Sequence, residues 1–355
     1  MHSAHDIIGK ATAKALCTAG IDATYRDLWP EPFARLMRQV RIPFSRTFYK
    51  FVLARGRLSR LNASIHPSDI LWIFGPALPH DLLCSFERKQ IGKGAHYVFH
   101  LMDDWFSVPG MKEIAEARVP LASLVVVPTE PLAARVRSLF PDATVAVLEE
   151  PIDVQRLAPP ATQANGAPRI VWCGNPYNQK ELPSLKEPLE RVYREIRFEF
   201  TIISATRPRH LDLNLPWKWC RYDRASEGEM LGGSVAGLAP VEDTPYARCK
   251  GSYKVKTYLA AGVPPIGSPV GHQSTMIRHG ENGFFASTAD EWMEALLQLL
   301  RNPELARKMG VQARRDACEK YAYDAVVPTW AGTLKKHFHP IEQSSQVNEQ
   351  KAFPQ

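Results

Sequence analysis

The side chains best suited to chemistry are concentrated between residues 237 and 271, in the segment GLAPVEDTPYARCKGSYKVKTYLAAGVPPIGSPVG. An apolar strand pattern ends at Pro240, and a loop containing Glu242 and Asp243 follows it. A Gly-Ser pair then opens a helical pattern, with three cations around it: Arg248, Lys250 and Lys254. Such a combination of cations and a small-residue turn is suited to binding an anion.

The predicted helix at 251–261 explains how an anion would be held. The first N–H groups of a helix have no partner within it and lie at the positive end of its dipole. We therefore expect Gly251, Ser252 and Tyr253 to offer backbone N–H groups beside Lys254. Fixed positive charge there would stabilise a departing diphosphate. A basic surface loop next to an ordinary helix accounts for the same residues equally well.

Strand and helix patterns alternate along the chain. The predicted strands are 68–75, 95–103, 124–128, 144–149, 169–174, 198–204, 217–222, 234–239, 263–267 and 283–286. The predicted helices are 4–19, 77–91, 130–139, 181–196, 251–261, 288–301, 303–320 and 324–337. Nearly continuous apolar strands between helices are typical of parallel sheets covered on both faces. Because a helix follows Ser3 directly, the first domain is expected to lack its usual first strand.

One linker divides this alternation. Residues 156–168 (RLAPPATQANGAP) have the composition of a loop. We therefore predict two α/β domains, at 1–155 and 169–323, that face each other across a cleft. A helix at 324–338 is expected to cross back to the first domain, and the polar tail at 339–355 is expected to be disordered.

Ligands of open parallel sheets bind beyond the carboxyl ends of the strands. In the first domain, His100, Asp103 and Asp104 lie at such a strand end. A carboxylate there can order the hydroxyl groups of a ligand or offset positive charge that develops in a transition state. His100 fits a satisfied core residue equally well, and Asp103 fits a helix cap.

Composition narrows the cellular setting. Six cysteines are scattered without a C-x-x-C pair, which predicts reduced thiols in the cytoplasm. The formal net charge of +7 favours an anionic partner. Between 33 and 61 the chain carries eight cations and no acidic residue: Arg35, Arg38, Arg41, Arg46, Lys50, Arg55, Arg57 and Arg60. This pattern predicts either a helix on an anionic membrane surface or a solvated helical face.

Several stretches together resemble the family 4 retaining glycosyltransferases. These are the segment 237–271, GENGFF at 280–285, DEWMEALLQLLRNPELARKMGVQARR at 290–315, VVVPTEPLAARV at 125–136 and EEPID at 149–153. The resemblance covers 95–337. It implies a GT-B fold of two Rossmann-like domains, a nucleoside-diphosphate-sugar donor held mainly by the C-terminal domain, retention of anomeric configuration, and catalysis in which Lys or Arg takes the role of a metal.

The resemblance also implies roles for individual residues. It makes Asp103, Asp104 and Lys254 the catalytic candidates and places His100 and His272 near the sugar. The residues it places at the donor are Gly174, Asn175, Lys180, Tyr222, Asp223, Glu242, Asp243, Arg248, Lys250, Gly251, Ser252, Tyr253 and Lys254. The Asp103–Asp104 pair also resembles the metal-binding D-x-D of another glycosyltransferase architecture. That architecture has a single sheet domain, so we expect no metal and no other cofactor.

The sequence departs from the family at two positions. Cys249 and Thr257 stand where many members carry two glutamates eight positions apart. We predict a hexosyltransferase-type enzyme that acts on a glycan or lipid-linked acceptor in cell-surface polysaccharide synthesis, in the cytoplasm or on the inner membrane face. The departures support a different class, a non-catalytic GT-B-like protein that binds a ligand or partner. Specific nucleic-acid binding is not expected, because no recognition fold is apparent.

Overall fold

The computed structural model describes residues 4–24, 65–66, 69–74, 80–159, 167–209 and 211–338. The strands in these ranges are β1 Ile70–Phe74, β2 His96–His100, β3 Leu124–Val127, β4 Val145–Val147, β5 Arg169–Cys173, β6 Glu199–Ser204, β7 Trp217–Arg221, β8 Ala236–Ala239, β9 Pro265–Gly267 and β10 Phe284–Phe285. The helices are α1 Ala4–Thr18, α2 His80–Ile91, α3 Lys112–Arg118, α4 Glu130–Leu139, α5 Lys186–Glu195, α6 Glu227–Leu231, α7 Pro245–Cys249, α8 Tyr253–Ala260, α9 Gln273–Met276, α10 Ala289–Arg301, α11 Pro303–Lys320 and α12 Tyr323–Phe338.

The first sheet is parallel, with its strands in the order β1-β2-β3-β4. Of its two central strands, β3 is apolar and buried at every position, and β2 carries histidines only at its two ends. Burial on both faces follows from this composition, because no alternate position offers a polar side chain to solvent.

The second sheet is also parallel, with the order β7-β6-β5-β8-β9-β10. The chain winds outward from β5 to β7, returns to the other side of β5 at β8, and continues to β10. This is the Rossmann strand order, in which ligands bind where the winding direction reverses. The reversal lies between β5 and β8, so the loops after these two strands flank the expected crevice.

Helix α12 belongs to the first domain although it follows the second in the chain. Trp330 on this helix is fully buried in a cluster with Val98, Leu124 and Val126 of the first sheet. Its ring stacks on Trp72 with the centroids 5.1 Å apart, and α12 also contacts α1. A helix that follows the second domain in the chain therefore completes the core of the first domain.

The predicted fold class, two parallel α/β sheets, is confirmed, and each predicted strand has an observed counterpart. The helix predicted at 181–196 begins only at Lys186, because Pro183 lies within a 3₁₀ helix at Pro176–Leu185 and cannot donate a helical hydrogen bond. Four short helices, α3, α6, α7 and α9, were not predicted.

Several expectations concern residues outside the described ranges. They are the basic stretch at 33–61, most of the linker at 156–168 and the tail at 339–355. Most of the chain between α1 and β1 is also outside, so the missing first strand stays a prediction. In the part of the chain that the structure describes, no helix has the length and apolar character needed to span a bilayer.

Candidate functional site

The carboxyl ends of the two sheets face each other. Several contacts join the domains at this place. Thr129 Oγ1 donates to the carbonyl of Cys249 over 2.9 Å. Lys256 Nζ donates to the carbonyl of Glu150 over 3.0 Å. Across the same gap, His272 Nε2 lies 2.7 Å from Glu149 Oε2. We call the residues gathered here the interdomain site.

Helix α8 points its amino end into this site. Ser252, the residue before the helix, has φ 51° and ψ 40°, the left-handed conformation, and its side chain does not cap the helix. It is the one non-glycine residue with positive φ in the described ranges. Such a conformation is costly for a residue with a Cβ and is common at functional sites. The first N–H groups of α8 are therefore left available to a ligand.

Lys254 lies in the first turn of α8. Its ammonium group bonds Glu181 Oε2 over 2.7 Å and lies 4.6 Å from the centroid of the Trp172 ring. Both charged side chains are less than 15% exposed. Burial lowers the pKa of Lys254, and the charge of Glu181 opposes this effect. Lys254 is thus a partly desolvated cation held beside the end of β5.

Gly174 directly follows β5 and allows this arrangement. A Cβ at this position would lie 2.6 Å from the Trp172 ring, closer than atoms can approach without a shift. Asn175 caps the following 3₁₀ helix by accepting from the N–H of Asn178 over 3.0 Å. Both residues therefore shape the loop after β5.

The other cations of the interdomain site differ in their partners. Arg248 pairs with Asp243 through two hydrogen bonds of 2.6 and 2.8 Å, and both side chains are more than half exposed. Lys250 acts electrostatically on Asp103 and lies 5.5 Å from the ring centroid of Tyr246. Arg248 is therefore neutralised by its neighbour, whereas Lys250 faces the first domain.

Lys180 lies on the exposed rim of the site. Its Nζ forms no ion pair among the described residues and donates to the hydroxyl of Tyr177 over 3.1 Å. The Tyr177 ring is 66% exposed.

The remaining predicted donor residues lie farther along the loops. Tyr222 donates to Glu227 Oε2 over 3.1 Å. Asp223 accepts from Ser226 Oγ over 2.9 Å and so orders its own turn. Glu242 is exposed in the loop after β8. Tyr253 begins α8, and burial raises the pKa of its hydroxyl.

The two aspartates after β2 are in different environments. Burial raises the pKa of Asp103 to about 6; Lys250 lowers it and Asp104 raises it. Asp104 is 2% exposed and accepts from Ser107 Oγ through Oδ2, while Oδ1 has no hydrogen-bond partner in the described residues. The sequence suggested Asp103 as a helix cap, but Asp104 is the residue that precedes the short 3₁₀ helix, and its side chain makes no cap hydrogen bond.

The two histidines are also placed differently. His100 is fully buried between the rings of Trp72 and Trp330. Its Nε2 lies 3.9 Å from Glu150 Oε1. His272 is engaged with Glu149.

Cys249 and Thr257, which replace the family's glutamates, have structural environments. Cys249 packs into the core cluster of the first domain. Thr257 is 4% exposed and donates from Oγ1 to the carbonyl of Tyr253 over 3.0 Å. Neither supplies a carboxylate to the interdomain site.

Sequence reasoning gave no role to four residues of this site: Glu149, Glu150, Glu181 and Lys256. The first two lie in the EEPID stretch, but their burial depends on the packing of two domains. Lys256 is fully buried and pairs with Glu149. A buried lysine within an apolar helix face was a usable signal, because such a charge requires a partner.

Two other features bear on ligands. No cluster of three potential metal ligands occurs in the described ranges. A cavity of about 570 Å³ lies beyond β6, lined by Thr206, Arg207, Pro208, Arg209, Leu211 and Trp217. It is an open surface depression without any of the candidate residues, so we locate the site at the strand ends instead.

Known proteins resemble both the sequence and the fold. Residues 257–316 match the family model of glycosyl transferases group 1. Over 71 residues the chain is 35% identical to N-acetyl-alpha-D-glucosaminyl L-malate synthase of Bacillus anthracis, a match that covers 19% of each chain.

Solved structures extend the likeness to most of the chain. A complex of HepE from Anabaena with UDP-glucose gives a TM-score of 0.62 at 14% identity, covering 79% of this chain and 82% of HepE. Sucrose-phosphate synthase from Thermosynechococcus elongatus gives 0.61 at 13% identity, covering 84% and 80%. A complex of S. aureus TarM with UDP gives 0.57 at 14% identity, covering 79% of this chain but only 58% of TarM.

Proposed function

From a GT-B fold whose second domain carries the group 1 glycosyltransferase segment, we propose that this chain is a glycosyltransferase of the hexosyltransferase type. It transfers a sugar from a nucleoside-diphosphate-sugar to a glycan or lipid-linked acceptor in cell-surface polysaccharide synthesis. The resemblance of residues 257–316 to the family and the UDP complexes of related folds support the donor class. The basic stretch at 33–61 favours an anionic acceptor.

One observation carries this proposal. The left-handed Ser252 directs the free N–H groups of α8 into the interdomain site, and Lys254 stands in the first turn of the same helix. Backbone N–H groups, a helix dipole and a buried cation together form a site for a diphosphate. We place the donor's diphosphate there.

The chemistry follows from the charges around that position. Cleavage of the sugar–phosphate bond moves negative charge onto the diphosphate, and Lys254 with the α8 N–H groups stabilises it without a metal. Positive charge develops on the sugar, and the carboxylates of Asp103 and Asp104 lie on the opposite domain. Leaving group and acceptor on the same sugar face give retention of configuration.

The first prediction tests Lys254. We expect UDP, GDP or ADP to raise the melting temperature, since a ligand of the native state stabilises it. Donor hydrolysis or transfer should persist in EDTA and fall about a hundredfold or more in Lys254→Ala, because a fixed transition-state charge is lost.

Two further variants make this result interpretable. Lys254→Ala leaves Glu181 buried without its partner, so the double variant Lys254→Ala/Glu181→Gln tests the same loss in a protein without that uncompensated charge. Lys218→Ala removes an exposed lysine from β7 and should keep full activity. Activity that survives in the double variant, or that requires Mg²⁺, would contradict the proposed mechanism.

A second candidate, a non-catalytic GT-B-like binding protein, is favoured by one observation. Cys249 and Thr257 are both packed and neither presents a carboxylate. This candidate predicts nucleotide binding without turnover, or no binding at millimolar nucleoside diphosphate. The same melting and hydrolysis measurements decide between the two.

A further inference from the structure

Glu150 lies at the interdomain site and has no role in the function proposed above. It lies in the loop after β4, three residues beyond Val147, and is 4% exposed. Its Oε1 atom has no hydrogen-bond partner in the described residues, and His100 Nε2 lies 3.9 Å away. A buried carboxyl oxygen without a hydrogen bond is costly. Such an atom suggests either a missing ligand or a carboxyl group that is neutral.

The other oxygen of Glu150 is directed at the proposed diphosphate site. A Cβ added to Gly251 would lie 3.2 Å from Glu150 Oε2 and 3.3 Å from Pro128 Cβ. Gly251 precedes the left-handed Ser252 and the amino end of α8. The carboxyl group therefore lies beside the N–H groups to which we assigned an anion, where an ionised carboxylate would repel that anion.

Charged groups face Glu150 from several elements. Lys256 on α8 donates to its backbone carbonyl, yet the ammonium group of Lys256 is paired with the carboxylate of Glu149. Asp103 approaches from the loop after β2, and Tyr253 begins α8. Burial raises the pKa of Glu150 to about 7; the charge of Lys256 lowers it, and the charges of Asp103 and Glu149 raise it further.

We propose that Glu150 belongs to the donor site and binds the donor's diphosphate as a neutral carboxylic acid, its O–H donating a hydrogen bond to a phosphate oxygen. This inference rests on the function proposed above. The proton comes from solvent when the diphosphate binds to the ionised form, and it returns to solvent when the product leaves. No covalent bond to the ligand forms or breaks in this step.

The proposal fixes the direction in which diphosphate affinity changes with pH. Below the pKa of the free protein the carboxyl group is already neutral, and binding takes up no proton there. Above it, each diphosphate bound requires one proton, so affinity falls by about tenfold for each pH unit. Glutamine at this position has the same shape and offers an amide N–H without a proton equilibrium.

Calorimetry with UDP and with inorganic pyrophosphate tests whether Glu150 takes up a proton when a diphosphate binds. At pH 8 the phosphates of UDP are fully ionised, so titrations of UDP in HEPES and in Tris, which differ in ionisation enthalpy, give the number of protons exchanged; inorganic pyrophosphate still carries a proton at this pH and is used to compare affinities only. We expect an uptake of about one proton per ligand in the unaltered protein. In Glu150→Gln we expect no uptake and an affinity at pH 8 raised by about tenfold. Glu116→Gln, an exposed residue on α3, is the matched control and should behave as the unaltered protein.

The outcomes separate the two proposals. UDP that binds without proton uptake, or with the same uptake in Glu150→Gln, overturns the role of Glu150 and leaves the glycosyltransferase proposal standing. A complete absence of UDP and pyrophosphate binding in every variant overturns the proposed function itself. If Glu150→Gln does not fold, the affinity of the unaltered protein between pH 7.5 and 9 still decides, because a flat profile contradicts the proposal.

Discussion

Two consecutive glutamates of the interdomain site differ in their charge state. Burial raises the pKa of Glu149, but the hydrogen bond from His272 and the charge of Lys256 outweigh it and hold the value at about 2. For the next residue, Glu150, burial outweighs the charge of Lys256 and raises the pKa. At the scale of residues, the groups that surround each carboxyl therefore decide whether the glutamate stays ionised or can take up a proton.

This difference gives a prediction for Glu149. A carboxyl group whose pKa is lowered in the folded state contributes stability above its ordinary value of 4.5, and that contribution is lost as the pH falls through about 2. Glu149→Gln should therefore be less stable than the unaltered protein by about 2 kcal/mol at pH 7. The gap should narrow below pH 4.5 and close near pH 2.

Urea unfolding at several pH values measures this gap. Glu281→Gln removes an exposed partner of Arg278 and serves as the control, with little change expected at any pH. A gap for Glu149→Gln that stays constant from pH 7 to pH 2 would show that the ion pairs do not couple stability to protons.

The sequence identifies some of these residues and not others. Lys254 is predictable because it lies in the first turn of a helix that follows a Gly-Ser pair, which are local features. Glu150 is not, because the environment of its carboxyl group depends on Gly251, which lies beside it in the other domain. The local sequence indicates which side chains a segment carries, whereas the pKa of each side chain depends on the residues that pack against it in the folded protein.

At the scale of elements, α8 begins at the proposed diphosphate site with a residue in an unfavourable backbone conformation. Ser252 adopts φ 51°, where glycine has no steric cost. Ser252→Gly should therefore raise the free energy of unfolding by about 0.5 to 1 kcal/mol. Ser252→Val should lower it, because a β-branched side chain is strongly disfavoured at positive φ.

Thermal unfolding of the two variants checks this prediction. Equal melting temperatures for Ser252→Gly and Ser252→Val would mean that the residue changes conformation at no cost. In that case the left-handed start of α8 would not be a fixed feature of the anion site.

The helices and strands also show which elements can be predicted from a single sequence. The strands were predictable because short apolar segments bounded by turn residues are distinctive. Helix α7 was missed although its signals are present: Thr244 caps it by accepting from the N–H of Ala247, and Pro245 occupies its first turn. Five residues are too few for a helical period to appear, so only the fold shows that this helix packs against α4.

At the scale of the whole molecule, α12 packs into the core of the first domain although it follows the second domain in the chain. Trp330 is fully buried and its Nε1 donates to the carbonyl of Glu149 over 2.9 Å. Trp330→Ala should lower the free energy of unfolding by about 4 kcal/mol, because a large side chain leaves a cavity in the first-domain core. Val311→Ala, at a 61% exposed position on α11, should change it little.

Hydrogen exchange shows which domain loses stability in Trp330→Ala. Amides of β2 and β3 should lose protection in Trp330→Ala, while those of β5 and β6 keep it. Equal loss of protection in both sheets would mean that the domains unfold as one unit and that the effect of α12 is not confined to the first.

The position of α12 sets an order of events during synthesis. The first sheet emerges from the ribosome early, but the side chains that cover one of its faces, Val326, Val327 and Trp330, are added only after the whole second domain. Until then Val98, Leu124 and Val126 lack the α12 side chains that pack on them in the folded protein. The domain translated first therefore completes this part of its core only after its partner has been synthesised.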